Sequence, residues 1–163
     1  MLDPDLVRLA EVVLAEAREQ NLKIATAESC TGGLLAAHFT EVPGSSLVFE
    51  RGFVTYSNDA KMDMLGVPKA ILREHGAVSE PCVRAMAAGA LDNAPDAHLA
   101  AAITGIAGPG GGAPDKPVGL VHFAVIRRGG RVVHEAVRFG DLGRAAVRQR
   151  SVAQALAMLR DLV

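Results

Sequence analysis

Two short apolar segments, each running straight into a glycine-rich stretch, constrain this chain more than any other feature. Leu22 to Ala27 (LKIATA) leads into Glu28-Ser29-Cys30-Thr31-Gly32-Gly33. Leu99 to Thr104 (LAAAIT) leads into Gly105-Ile106-Ala107-Gly108-Pro109-Gly110-Gly111-Gly112. Short apolar runs bounded by turn residues read as buried strands. Ligands in open α/β sheets sit beyond the carboxyl ends of such strands. Neither stretch matches a Walker loop or a G-x-G-x-x-G fingerprint in its proper context.

Helical patterns surround these strands. Asp3-Pro4 opens the first, with Leu6, Leu9, Val13 and Ala17 on one face and an end near Asn21. Leu34 to Phe39 reads as a second, directly after the first glycine pair. Val48 to Tyr56 reads as a strand with a break at Gly52. A helix over Asp59–Leu65 is capped by Ser57 or Asn58 and stops at Gly66. Pro68 to Glu74 forms a short helix, and Ser79-Glu80-Pro81 starts a longer one to about Asn93. Val118–Arg127 and Arg131–Phe139 read as a hairpin turning at Arg128-Gly129-Gly130, followed by a last helix over Leu142–Val163. The pattern predicts a single three-layer α/β/α domain with a mixed, mostly parallel sheet. Gly105 to Pro117 is the longest irregular stretch, and so long a loop in a compact domain is a functional candidate.

Composition narrows the function. The 163 residues fit one domain able to bury its own core. Lys and Arg number 17 against 18 Asp and Glu, so no global field recruits nucleic acid or an anionic membrane. Aromatics are 4% with no Trp, which argues against a base-stacking platform for single strands. Two cysteines, Cys30 and Cys82, fit a reduced cytoplasmic setting better than a disulfide scaffold. The first residues lack a signal-peptide pattern, and no apolar run is long enough to span a bilayer. Residues 127–150 hold seven Arg against Glu135 and Asp141, a local net charge of +5.

The chemistry sorts by elimination only in part. The turn at Ser29, Cys30 and Thr31 lies beside a helix start, where unpaired N–H groups suit an oxyanion or phosphate; plain helix capping is the alternative. A nucleophile needs a base. The five histidines (38, 75, 98, 122 and 134) show no recognisable pairing. Among four lysines, Lys61 stands out at a strand-to-helix junction, Thr55-Tyr56-Ser57-Asn58-Asp59-Ala60-Lys61. A desolvated Lys there would serve as a base, a solvated one would not. Arg144 and Arg148, one helical turn apart, suit a phosphate or carboxylate clamp, or else an exposed charged face. No C-x-x-C or H-E-x-x-H spacing and no clustered carboxylate pattern suggests a metal.

Several long motifs then carry a resemblance: Thr26-Ala-Glu-Ser-Cys-Thr-Gly-Gly33; Gly44-Ser-Ser46 with Phe49-Glu-Arg-Gly-Phe-Val-Thr-Tyr-Ser-Asn58 and Lys61; Gly76-Ala-Val-Ser-Glu80; and Thr104-Gly-Ile-Ala-Gly-Pro109 with Lys116-Pro-Val-Gly119. In this order, over nearly the whole chain, they resemble the CinA C-terminal domain family, whose characterised members are nicotinamide-nucleotide amidohydrolases. The resemblance implies one such domain over residues 1–163. It implies hydrolysis of the carboxamide of nicotinamide mononucleotide (NMN) to nicotinic acid mononucleotide and ammonia, in pyridine nucleotide salvage. It maps a catalytic Ser–Lys pair onto Ser29 and Lys61. It also implies that the small-molecule NMN is the partner and that no metal or cofactor is needed; so apolar a small chain is expected to form a homo-oligomer, a dimer or larger.

On this reading the substrate site takes in Glu28, Cys30, Thr31, Gly32 and Gly33 of the first motif, and Tyr56, Ser57 and Asn58 of the second. Thr104, Gly105 and Gly108 come from the glycine loop, and Arg144 and Arg148 from the last helix. N–H groups around Thr31 to Gly33 are expected to hold an oxyanion, Glu28 to favour the cationic pyridinium ring, and Arg148 and Arg144 to balance the 5′-phosphate. Leu142-Gly143 interrupt the family's G-D-R-x-x-x-R pattern, so Arg148 aligns more directly than Arg144. Cys30 is the rival nucleophile. The alternative from another class is a non-catalytic nucleotide-binding or competence-related partner protein, which would bind NMN without releasing ammonia.

Overall fold

The sheet is built from the centre outward. In the computed structural model, which describes residues 1–163, β1 (Ile24–Glu28) is buried at every position. It pairs in parallel with β2 (Phe49–Val54) on one side and with β3 (Leu99–Gly105) on the other. β4 (Leu120–Arg127) runs antiparallel to β3, and β5 (Val132–Arg138) antiparallel to β4. The order is β2-β1-β3-β4-β5. Every strand but β4 therefore points the same way, which is the mixed, mostly parallel sheet that the sequence pattern predicts.

Six helices cover the two faces. On one side lie α1 (Pro4–Glu19), α2 (Leu34–Thr40) and α6 (Arg144–Leu162), packed on Ile24, Ala101, Ile103, Val121, Phe123 and Val125. On the other lie α3 (Asn58–Leu65), α4 (Lys69–His75) and α5 (Glu80–Asp92), packed on Ala25, Ala27, Ala100, Ala102 and Ala124. The second face is almost all alanine, so helices approach closely. Gly89 of α5 shows how closely: a Cβ there would lie 1.9 Å from the carbonyl oxygen of Leu65, which ends α3.

Local chemistry sets the boundaries. Asp3 caps α1, Ser57 caps α3 and Ser79 caps α5 through their side-chain oxygens. Three sequence expectations shift. The break at Gly52 is absent and β2 is continuous; Gly52 is needed because a Cβ would come within 2.8 Å of Thr26 Oγ1 on the neighbouring strand. The loop after Pro43 contains a short 3-10 turn, Ser45–Leu47. The last helix starts at Arg144 instead of Leu142, behind Gly143 at φ 93°. No helix is long and apolar enough to cross a membrane.

Candidate active site

β1 ends at Glu28, and Ser29 follows with its N–H still bonded to the Ile103 carbonyl of β3 at 2.9 Å. The serine is thus fixed at the carboxyl end of two parallel strands. Lys61, on the second turn of α3, reaches it from the alanine-lined face. Its side chain is buried, 1% exposed. Nζ lies 2.8 Å from Ser29 Oγ, 2.8 Å from the Thr55 carbonyl and 3.0 Å from the Tyr56 carbonyl. Ser29 Oγ is itself 3.5 Å from the Tyr56 carbonyl, beyond a good O–H···O distance.

No carboxylate touches the lysine. Burial, the largest cause, pushes its pKa down from the ordinary lysine value. Three oxygens surround Nζ, two main-chain carbonyls and the Ser29 hydroxyl; with the amine neutral, two N–H groups can serve the carbonyls and leave the lone pair for the hydroxyl. Burial also pushes the Cys30 thiol up to about 11, and that of Cys82 to about 11. Both thiols stay protonated at neutral pH, and Cys30 lacks the base that a nucleophile needs.

Ser29, Cys30, Tyr56 and Lys61 open onto a cavity of about 300 Å³. Ala77, Val78, the loop from Thr104 to Gly111 and Arg144 complete its walls. That size falls at the low end of small-molecule sites, roughly 300–1,000 Å³. Thr104 is buried and its Oγ1 donates to the Ala77 carbonyl at 3.0 Å, tying the glycine loop's strand to the Ala77–Val78 wall. Arg144 spans the mouth: one guanidinium nitrogen donates to the Gly108 carbonyl at 3.0 Å and the other to the Tyr56 hydroxyl at 3.2 Å. A larger groove of about 500 Å³, between α1 and residues 42–48, holds no serine–base pair.

The structure separates several residues that the motifs join. Glu28 is fully buried behind the cavity, with its carboxylate accepting from Leu35 N–H at 2.9 Å and Ala36 N–H at 3.1 Å. Its oxygens cap α2 and do not face a ring bound beside Ser29. Gly32 N–H is bonded to the Ser29 carbonyl at 3.0 Å and is no oxyanion donor. The N–H groups of Cys30, Thr31 and Gly33 make no bond within the chain. Ser57 caps α3 and Asn58 is an exposed first-turn residue; neither lines the cavity. The Arg144–Arg148 pair is split. Arg148, which aligns more directly with the motif, donates Nη2 to the Thr31 carbonyl at 3.0 Å, outside the cavity. Arg144, displaced by the Leu142-Gly143 insertion, is the one at the cavity.

Sequence reasoning overlooked the Thr55 and Tyr56 carbonyls as lysine partners, since main-chain acceptors leave no motif. It also left out Ala77 and Val78, although Gly76-Ala-Val-Ser-Glu80 had marked them. The histidines stay away: His122 and His134 pair with each other at 2.9 Å, His38 bonds the Leu34 carbonyl, and His98 accepts from Lys23 N–H. No three side chains among His, Cys, Asp and Glu come together as a metal-binding group.

A three-layer α/β/α domain with a serine and a buried lysine joined at the carboxyl end of parallel strands is the class that fold and site define. The model of the CinA C-terminal domain family matches residues 6–163, and the chain belongs to that family. It is 49% identical to nicotinamide-nucleotide amidohydrolase PncC of Escherichia coli K12, over 98% of this chain and 95% of that protein. It is 50% identical to a CinA-like protein of Akkermansia muciniphila over 99% of this chain, which spans only 38% of that relative's length. The solved structure of the competence/damage inducible protein CihA from Agrobacterium tumefaciens superposes with a TM-score of 0.97 at 50% identity, covering 99% of this chain and 98% of that one.

Proposed function

We propose that this protein is an amidase that hydrolyses the carboxamide of NMN to nicotinic acid mononucleotide and ammonia. The likeness to a nicotinamide-nucleotide amidohydrolase over almost the full length of both chains supports the substrate. The observation that carries the chemistry is the 2.8 Å approach of Ser29 Oγ to a buried lysine whose other neighbours are carbonyls.

Neutral Lys61 takes the proton of Ser29 Oγ as the oxygen attacks the carboxamide carbon. The unpaired N–H of Cys30, which lines the cavity beside Ser29, receives the oxyanion, a donor worth about 3 kcal/mol in comparable sites. The Lys61 ammonium then gives its proton to the departing nitrogen, the C–N bond breaks and ammonia leaves. Lys61, neutral again, deprotonates a water that attacks the ester carbon. The C–Oγ bond breaks, Ser29 recovers its proton and the pyridine carboxylate is released. Arg144 turns from the Gly108 carbonyl and Tyr56 hydroxyl to the 5′-phosphate. No step calls for a metal.

Ammonia release from NMN by wild-type protein, Ser29→Ala, Cys30→Ala and Lys61→Ala, with EDTA present, tests this. Turnover by wild type and Cys30→Ala alone is expected. Loss in Cys30→Ala only would move the nucleophile by one residue. NMN binding without turnover in every form would replace the amidase by the nucleotide-binding partner protein.

A further inference from the structure

Glu28 and Arg148 are both polar, both beside the nucleophile and both turned away from the cavity. We infer that they are positioning residues that hold the Ser29 turn at two separate points, and that neither binds substrate; this rests on Ser29 being the nucleophile.

The turn from Ser29 to Gly33 joins β1 to α2. Its own bonds are few: Gly32 N–H to the Ser29 carbonyl and Leu34 N–H to the Thr31 carbonyl, both at 3.0 Å. Two of its residues are glycines with positive φ, 58° at Gly32 and 97° at Gly33, so the segment has little intrinsic stiffness. α2 begins behind Gly33, which has no side chain to cap it. Glu28 fills that gap from the residue immediately before the serine. Each of its two carboxylate oxygens takes one amide N–H, of Leu35 and of Ala36, so the carboxylate bridges over the turn and closes it into a ring. With both oxygens engaged and 1% exposure, the carboxylate has no surface left for a ligand.

Arg148 holds the turn at a second point. It projects from α6 and donates to the Thr31 carbonyl at 3.0 Å, the same oxygen that receives Leu34 N–H. A Cβ on Gly32 would sit 3.7 Å from its Nη2, so the guanidinium lies along the turn. Arg144, four residues earlier on α6, is at the cavity instead. One arginine of the pair therefore faces substrate and the other faces the scaffold. What the clamp fixes is the 2.8 Å line from Ser29 Oγ to Lys61 Nζ. A misplacement of about 1 Å at a reacting group can cost roughly 100-fold in rate.

Glu28→Gln is nearly isosteric but replaces one acceptor oxygen by an NH2 that meets an amide N–H head-on. Arg148→Met removes the donor to Thr31, and Arg148→Lys keeps one donor. Two readouts separate positioning from binding: kcat and KM for NMN, and the rate at which a fluorophosphonate, which carries neither pyridinium nor ribose phosphate, modifies Ser29. Glu28→Gln and Arg148→Met are expected to lower kcat and the modification rate together, by roughly 100-fold, with KM nearly unchanged. Arg148→Lys should recover part of both. A raised KM with kcat and the modification rate retained would overturn the inference and make these residues substrate ligands. Should Glu28→Gln fail to fold, the Arg148 pair decides alone. If wild type is modified at Ser29 but releases no ammonia from NMN, the substrate reading fails and the modification rates still decide the clamp; if wild type does neither, both readings fall.

Discussion

Replacing Lys61 by Met removes the terminal nitrogen from a buried side chain and keeps an unbranched apolar stem one atom shorter. The loss of the base should lower kcat/KM for NMN by about 10²- to 10⁴-fold, the span of general acid–base contributions. The same substitution has a second signature, in stability. Burial holds the folded pKa of Lys61 below that of the unfolded chain, where the amine is exposed. Below the unfolded lysine pKa the unfolded state therefore binds a proton that the folded state refuses. Wild-type stability falls as pH drops through the window between the two pKa values, and is flat below it. Within that window the slope for one proton is about 1.4 kcal/mol per pH unit. Lys61→Met lacks this proton, so the difference between wild type and variant should change across the alkaline range while other titrating groups cancel. Urea unfolding of both proteins at steps from pH 7 to 10, alongside ammonia release over the same range, measures both effects. Wild-type kcat/KM should rise with pH through the lysine's lowered pKa. A stability difference independent of pH, or activity that declines as pH rises from neutral, would refute a neutral lysine base.

Cys30→Ala should retain most of the activity, because burial holds that thiol protonated with a pKa of about 11; ammonia release checks it. Cys30→Asp sets a carboxylate near Lys61 and should move the acid limb of the pH–rate profile upward by roughly one to three units, as an opposite charge favours the ammonium; an unmoved limb would count against that coupling. Gly89→Ala brings a Cβ within 1.9 Å of the Leu65 carbonyl and should destabilise by about 1–3 kcal/mol, read from the urea midpoint. The neighbours His122 and His134 have pKa values lowered first by burial. Each also feels Glu80, which raises its pKa. On acidification below the ordinary histidine value the unfolded chain gains protons before the folded one does. Stability should therefore decline from about pH 6.5 downward. The decline should be shallower in His134→Gln, by thermal melts from pH 7.5 to 5.

Order and periodicity made most of the fold legible. Continuous apolar runs at residues 22–27 and 99–104 gave the buried parallel strands, and alternation around Gly129-Gly130 gave the antiparallel hairpin. What failed was set by approach across space. The continuity of β2 through Gly52 follows from Thr26 on the next strand, which no local rule contains. At the site, Ser29 and Lys61 were found by family motifs, since a separation of 32 residues says nothing about distance. The arginine pair divides because a one-turn spacing on a helix puts two arginines on one side without saying which of them overhangs the cavity, and Arg144 is the one that does. The two-residue offset at Leu142-Gly143 looked like damage to Arg144, yet it ends with that residue bonded to Gly108 and Tyr56. Glu28 misled for a related reason: an acid beside a nucleophile suggests substrate chemistry until its acceptors are counted.

In the proposed mechanism, the same carboxylate helps to explain how a lysine stays usable as a base. An amine buried beside an ionised acid becomes a permanent ion pair, because removing its proton would strand the partner charge in a poorly solvated interior. Here the acid nearest the nucleophile in sequence spends both oxygens on main-chain amides of α2. The titratable neighbours that influence Lys61 are two thiols, and burial keeps both protonated. Carbonyls fill the remaining directions; they accept more strongly from an ammonium than from an amine and so oppose burial, but they carry no full charge that deprotonation would strand. The lysine thus meets dipoles where an ion pair would meet charge. Its proton affinity is set by burial, the largest influence, acting against those dipoles, and burial lowers it from the ordinary lysine value. On the proposed mechanism the serine needs no histidine, because the protein withholds a counter-ion from the lysine.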